Sequence, residues 1–358
     1  MSDPNNPLQP DTSVDSTQTD APTPAVASNT GSTATASGAA TPQPAKPNTA
    51  KLILHGMILC PVTGAVILLA IIMSLAWWAK IDISAFTDTY EVQRGQVWRL
   101  VTDIFPHVNI IHLFFNLSWI WAFGIVVERS FGHLKTSLLI LLFAVVSSGA
   151  QFALSGSGVG LSGVGYAYFG MLWMLSRKDP RYAAVMQKQT VNLFLGWFVL
   201  CVVLSLAHVW NVGNLAHGAG AVVGILVGLA ITDPPKRAVY CTAVAVLTIA
   251  VLWGSTIGRP LVNFSDAYAY DQFQLGYRAL KDGNAQDAVR YLSDASKRVS
   301  TEPVFFYDLG VAYEQLGDTA GANQAFEKAH ALKPDDPRYA AAANRGTSNS
   351  IRESPDNQ

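Results

Sequence analysis

The sequence predicts an all-α protein, a polytopic membrane helical bundle followed by a C-terminal α-helical repeat module. Three observations carry that prediction. Only 14% of the 358 residues are charged, against roughly 25% in an ordinary soluble domain. The shortage is concentrated, because residues 52–79, 104–127, 136–176, 189–232 and 238–258 contain no Asp, Glu, Lys or Arg. Residues 266–340, by contrast, are charged and repeat themselves at a spacing of 34.

A bilayer core of about 30 Å is crossed by about 20 apolar helical residues, so each of the two longest charge-free runs holds two crossings. The predicted helices are 58–79, 108–127, 137–154, 161–176, 191–210, 213–231 and 238–257. A count of six, with 238–257 lying on the membrane surface, is the alternative; the length and lack of charge of that segment favour seven. The membrane domain therefore spans 51–258. Residues 1–50 are Ser, Thr, Ala, Pro, Asn and Gln with scattered Asp. Such a stretch buries too little surface to offset its ordering entropy and reads as a disordered tail. It lacks a basic segment leading directly into an apolar one, so no cleavable signal is expected and the first apolar segment directs insertion. Residues 341–358 read as a second tail.

Short-loop charge predicts orientation. Arg129 and Lys135 lie in loop 128–135, Arg177, Lys178, Arg181 and Lys188 in loop 177–188, and Lys236 and Arg237 in loop 232–237. Loop 155–160 and the turn near 211–213 carry no basic residue. The positive-inside rule puts the basic loops and the N-terminus in the cytoplasm and the C-terminus outside after seven crossings. The outer loop 80–107 holds Lys80, Arg94 and Arg99, which weakens the bias without reversing it. Its amphipathic spacing around Trp98-Arg99 suits the membrane interface.

In the repeat region, Gly276 pairs with Gly310, Gly283 with Gly317, Ala288 with Ala322, Ala295 with Ala329 and Pro303 with Pro337. A helix–turn–helix unit of 34 residues resembles the tetratricopeptide family. Two units are visible, whereas such arrays usually need about three. The module therefore leans on the membrane domain, a second copy or a ligand. Protein clients or self-association are its expected partners. The formal net charge of −1 and the lack of a basic stripe point to no nucleic-acid partner. Cys60, Cys201 and Cys241 lie in apolar segments without metal-ligand spacing and are expected to pack.

Polar side chains within membrane spans are costly, so each is a candidate for function. His112 and Asn116 share a helix face at i, i+4, and their donors can hold an oxygen that becomes negative; a hydrogen bond gluing two helices is the alternative. His107 caps the helix, touches the interface or supports the site. Ser162 sits in Gly160-Leu161-Ser162-Gly163, where a glycine-rich loop enters an apolar helix whose first N–H groups favour an oxyanion. A tight turn with an incidental serine is the alternative. Tyr166 lies one turn along. His217 begins a helix bearing Gly220, Gly224 and Gly228, a spacing that permits close backbone contact with a neighbour. A serine needs a base to take its proton, and neutral imidazole suits that role. No carboxylate lies in an apolar run, so the expectation is a Ser–His dyad.

The ordered set Trp98-Arg99, His107, His112-x-x-x-Asn116, Glu128-Arg129, Gly160-Leu161-Ser162-Gly163, Tyr166 and Ala216-His217-x-x-Gly220 resembles the rhomboid family of intramembrane serine proteases. The resemblance implies six core helices plus a seventh. It implies Ser162 as nucleophile, His217 as base, and His112 and Asn116 in the oxyanion hole. Tyr166 would pack on the catalytic histidine, with Gly160, Gly163, Gly220 and His107 in support. Trp98, Arg99, Glu128 and Arg129 would be structural, the last two in an ion-pair region. The implied substrates are single-span membrane proteins, cut near the extracytoplasmic end of the span in the plasma (inner) membrane of a bacterium. No metal or organic cofactor is implied. A non-catalytic protein that binds membrane clients, like inactive members of the family, is the alternative; a transporter would leave the serine constellation unexplained.

Overall fold

In a bilayer the backbone has no hydrogen-bond partner but itself, which is why charge-free runs fold as helices. The computed structural model describes residues 58–87, 89–210 and 212–352, and among them every regular element is helical. The expected tail at 1–50 lies outside the described residues. The membrane helices are α1 (Pro61–Trp78), α2 (Ile110–Phe131), α3 (His133–Leu154), α4 (Ser162–Ser176), α5 (Lys188–Leu206), α6 (Asn214–Thr232) and α7 (Arg237–Ser255). All seven expected helices form, with ends shifted by a few residues. The chain is a multi-pass integral membrane protein.

Six of the seven are long and apolar enough to cross a membrane by length and composition. The exception is α4, with 15 residues. At 1.5 Å per residue it covers about 22 Å, less than the hydrocarbon thickness. Loop 155–161 supplies the missing length as non-helical backbone. Such backbone is tolerated at membrane depth only where protein surrounds it, and α4 is central: every residue from Gly163 to Leu172 is buried. Leu68, Leu69 and Ile72 on α1, Phe114 and Phe115 on α2, and Leu195 and Val199 on α5 point outward as an apolar, lipid-facing surface. Cys60 and Cys201 are buried, as expected. Cys241 is exposed instead, because α7 lies at the rim of the bundle and turns that side outward.

Glu128 closes one end of the bundle. Its carboxylate accepts from the backbone N–H of Val62 (2.9 Å) and Thr63 (2.8 Å), and from the Thr63 hydroxyl (2.7 Å). It thereby caps the N-terminus of α1, where donors are unpaired and negative charge is favoured. It also meets His133, whose Nδ1 lies 2.7 Å from Oε1, while Arg129 is exposed. Adjacent residues on a helix do not face each other, so Glu128 and Arg129 diverge.

The repeat module sits at the opposite end. It comprises α8 (Ala267–Lys281), α9 (Ala285–Arg298), α10 (Pro303–Leu316), α11 (Thr319–Leu332) and α12 (Pro337–Arg352). Gly283 and Gly317 make the turns within the two hairpins at φ +73° and +77°. Gly276 and Gly310 let the paired helices touch: a Cβ there would lie 2.6 Å from Leu292 Cγ and 2.5 Å from Phe326 Cε1. Helix α12 continues beyond 341, where a tail is expected, because Ala342 and Ala343 pack with Ala322 and Phe326. Residues 353–358 lie outside the described residues. Two units suffice because α12 covers one end and the membrane domain the other. Glu91 of loop 80–107 is buried and accepts from Arg278 of α8, and Gln272 Nε2 donates to Gln93 Oε1 at 2.9 Å.

Within the module, burial raises the Asp308 carboxyl to about 6, against a smaller opposing pull from Arg338. A folded-state value above the unfolded one means that the folded state holds the proton more tightly. The resulting stabilisation is full below about pH 4 and is lost as pH rises through about 6. Asp308→Asn is therefore expected to raise the module's Tm at pH 7 and to leave it nearly unchanged at pH 4. Thermal unfolding of both forms across that range checks this; an equal shift at both pH values would contradict it.

Candidate active site

The site is built on the contact between α4 and α6. A Cβ at Gly220 would stand 2.2 Å from Gly163 O, and one at Gly224 would stand 2.0 Å from Ala167 O. Only glycine permits this approach, and the expected small-residue contact between these helices is present. It brings the first residue of α4 against the first turn of α6. His217 Nε2 lies 2.8 Å from Ser162 Oγ. The Tyr166 ring stacks on the His217 ring with centroids 4.6 Å apart, and its hydroxyl donates to Phe194 O at 3.1 Å. His217 is buried, and its Nδ1 has no hydrogen-bond partner among the described residues. The pair thus has no carboxylate behind it.

The loop entering Ser162 is held from several sides. His107, fully buried, accepts from Leu161 N–H through Nε2 at 3.3 Å. Its Nδ1 lies 2.8 Å from Phe105 O, a partner that can only accept, so Nδ1 carries the proton. Ser74 Oγ accepts from His107 N–H at 3.1 Å, and Trp78 Nε1 donates to His107 O at 2.9 Å. His107 thus contacts both the end of α1 and the loop that precedes Ser162. Gly160 has φ +113°, and a Cβ there would meet His112 Cε1 at 2.7 Å. The His112 ring therefore lies against the backbone two residues before the serine. It also meets the His107 ring edge-on at 4.9 Å.

Asn116 is buried, and its Nδ2 donates to His112 O at 2.9 Å. In this state its amide is engaged within α2. Gly163 is needed for packing, since a Cβ would stand 2.5 Å from Ser147 Oγ. Farther away, Arg99 is buried, with Nε on Gln96 Oε1 at 2.9 Å and a guanidinium N–H donating to Ser84 O, so it braces loop 80–107. Trp98 is exposed, as suits the membrane interface.

The rhomboid domain family model matches residues 94–234, from just before Trp98 to just past the end of α6. Residues 94–234 form a rhomboid domain. A tetratricopeptide repeat model matches residues 279–345, from the end of α8 into α12. Curated relatives include the rhomboid protease GlpG of Salmonella paratyphi A, 34% identical over 140 residues, which are 39% of this chain and 49% of the relative. The rhomboid protease GlpG of an Enterobacter species is 31% identical over 175 residues, 47% of this chain and 61% of the relative. The chain thus spans about half to three fifths of the length of these relatives.

Two further residues of the membrane bundle hold the site. Gln151 on α3 accepts from Ala216 N–H at 3.4 Å and donates to Gly156 O at 3.5 Å, joining the serine loop to the helix of His217. Ser74 on α1 anchors His107. Both are polar residues in charge-free runs, and the cost of burying such groups is the signal that marks them.

Proposed function

We propose that this chain is an intramembrane serine endopeptidase of the rhomboid type, in which Ser162 is the nucleophile and His217 the base. The observation that carries this reading is the 2.8 Å contact between Ser162 Oγ and His217 Nε2 inside a buried site. A protein that only bound clients would have no need of that contact. In the proposed cycle Ser162 Oγ attacks a scissile carbonyl while His217 Nε2 takes the hydroxyl proton. His217 then passes that proton to the leaving amine. Water, activated by the same nitrogen, releases the acyl group. The negative oxygen of the tetrahedral intermediate would be held by N–H groups at the start of α4, whose first donors lack intrahelical acceptors. His112 would assist from beside Gly160, and Asn116 would do so after leaving His112 O. Tyr166 would keep the imidazole facing Ser162 by stacking.

Substrates would be single-span membrane proteins whose helices unwind easily near their extracytoplasmic ends. The loop entering Ser162 lies at the module's end of the bundle, opposite Glu128 and the basic loop after it. With basic loops cytoplasmic, this arrangement supports a site opening outward and an extracytoplasmic module in a bacterial inner membrane. The module's expected role is to hold protein clients or to self-associate.

A serine-directed fluorophosphonate tests the nucleophile. The probe is expected to label Ser162, and His217→Ala to slow labelling by about 10²-fold or more. Mass mapping of the modified peptide reads the result. Labelling elsewhere, or labelling indifferent to His217, would sink the proposal.

A further inference from the structure

The proposed chemistry gives no role to Arg259, one of several buried charged residues. Arg259 follows α7 in the single turn Arg259–Val262, outside the rhomboid domain match, and is 0% exposed. Its guanidinium lies 3.7 Å from the centroid of the Phe152 ring. Nε donates to Phe152 O at 2.9 Å and Nη2 to Ser155 O at 3.1 Å. Asn263, also fully buried, donates to the same two carbonyls. These are C-terminal carbonyls of α3, which need outside donors because the helix ends there. Seven residues after Ser155 comes Ser162.

Both capping residues are held by the repeat module. Asp271 of α8 forms an ion pair with Arg259. Arg298 of α9 donates to Asn263 O at 2.6 Å and lies over the Tyr268 ring. The module also touches the loop directly, since a Cβ at Gly156 would stand 3.0 Å from the Ala267 Cβ. On the far side, the loop ends in Gly160 N–H on Asp103 O and Leu161 N–H on His107 Nε2, each at 3.3 Å. The loop is therefore suspended between the rhomboid domain and the module. Breaking a buried ion pair at one partner leaves an uncompensated charge, so the module-side support depends on Asp271.

We infer that Arg259, fixed by Asp271 of the repeat module, is a positioning residue for the loop that carries Ser162, so that the module is a working part of the membrane site and not a tethered accessory. As far as it concerns catalysis, the inference rests on Ser162 being the nucleophile. Two readouts keep the two ideas separate. The first is hydrogen exchange of the Gly160 and Leu161 amides in full-length protein in nanodiscs, which requires no catalysis. The second is the rate of Ser162 acylation by a fluorophosphonate. Asp271→Asn is expected to speed exchange at both amides about tenfold, as a local opening made easier. It is also expected to slow acylation about tenfold, with less than a twofold change in the KM for a membrane substrate. Arg259→Lys retains the charge but not the planar fork and should fall between wild type and Asp271→Asn in both readouts. The double variant Arg259→Gln, Asp271→Asn should lose no more than Arg259→Gln alone, because the two residues act as one unit. Asp308→Asn, elsewhere in the module, should leave both readouts unchanged. If Asp271→Asn is not recovered folded, Arg259→Lys decides. Wild-type exchange and acylation in a folded variant would overturn the inference, as would an effect confined to KM. If wild type is not acylated at Ser162, the proposed nucleophile fails, and exchange alone still decides whether the module holds the loop.

Discussion

His217→Ala is expected to lower turnover of a membrane substrate by about 10²–10⁴, the usual contribution of a positioned general base. The imidazole forms a hydrogen bond with Ser162 and stacks on Tyr166. Its other nitrogen has no hydrogen-bond partner among the described residues. Removing the ring therefore breaks no wider network, and the fold should survive with a modest loss from the cavity beside Tyr166. His217→Gln restores polarity without a base near neutral pH and should be nearly as inactive. Rates in proteoliposomes, read beside thermal unfolding in detergent, separate loss of the base from loss of the fold. Substantial activity in either variant, with the Tm preserved, would remove His217 from the chemistry.

Gly160→Ala should come next in effect. At φ +113° a side chain is strained wherever it points, and the added Cβ would meet the His112 ring at 2.7 Å. Strain of this kind costs about 1–3 kcal/mol. The ring and the loop cannot both keep their places, so the proposed oxyanion donor His112 and the serine are displaced together. Loss of one such donor lowers turnover by about 10²–10³, and that is the expected fall in kcat. Gly158→Ala provides the contrast. Its φ lies outside the left-handed region, and its Cβ would lie 3.3 Å from Gln151 Cγ, which calls for a shift of only a few tenths of an ångström, so a much smaller change is expected. Equal kinetics for the two alanine variants would contradict this account of the loop.

The candidate site residues were visible because a membrane span is a sparse background. Ser162, His217, His112 and Asn116 stand out where every polar group is costly, and the glycines of α6 indicate which helix it must meet. The shortness of α4 was legible as well. Loop 155–161 is as free of charge as the helices on either side, but its glycines set the expected helix start at 161, one residue from the observed Ser162. The pairing of Glu128 with His133 depends on the turn between α2 and α3, and adjacency to Arg129 misleads. The Arg259–Asp271 pair was out of reach for another reason. It joins a helix end to a repeat helix, and neither periodicity nor spacing specifies that docking. The 34-residue period did expose the two repeat units, but not the terminal helix that covers their open end.

The central claim is that Ser162 cuts a polypeptide within the membrane. It is tested most directly by reconstituting the full chain with a single-span membrane protein in liposomes and following the products by mass spectrometry. The wild type should release two fragments divided near the extracytoplasmic end of the span, and Ser162→Ala, inserted and folded, should release none. Cleavage by Ser162→Ala at the wild-type rate would contradict the account.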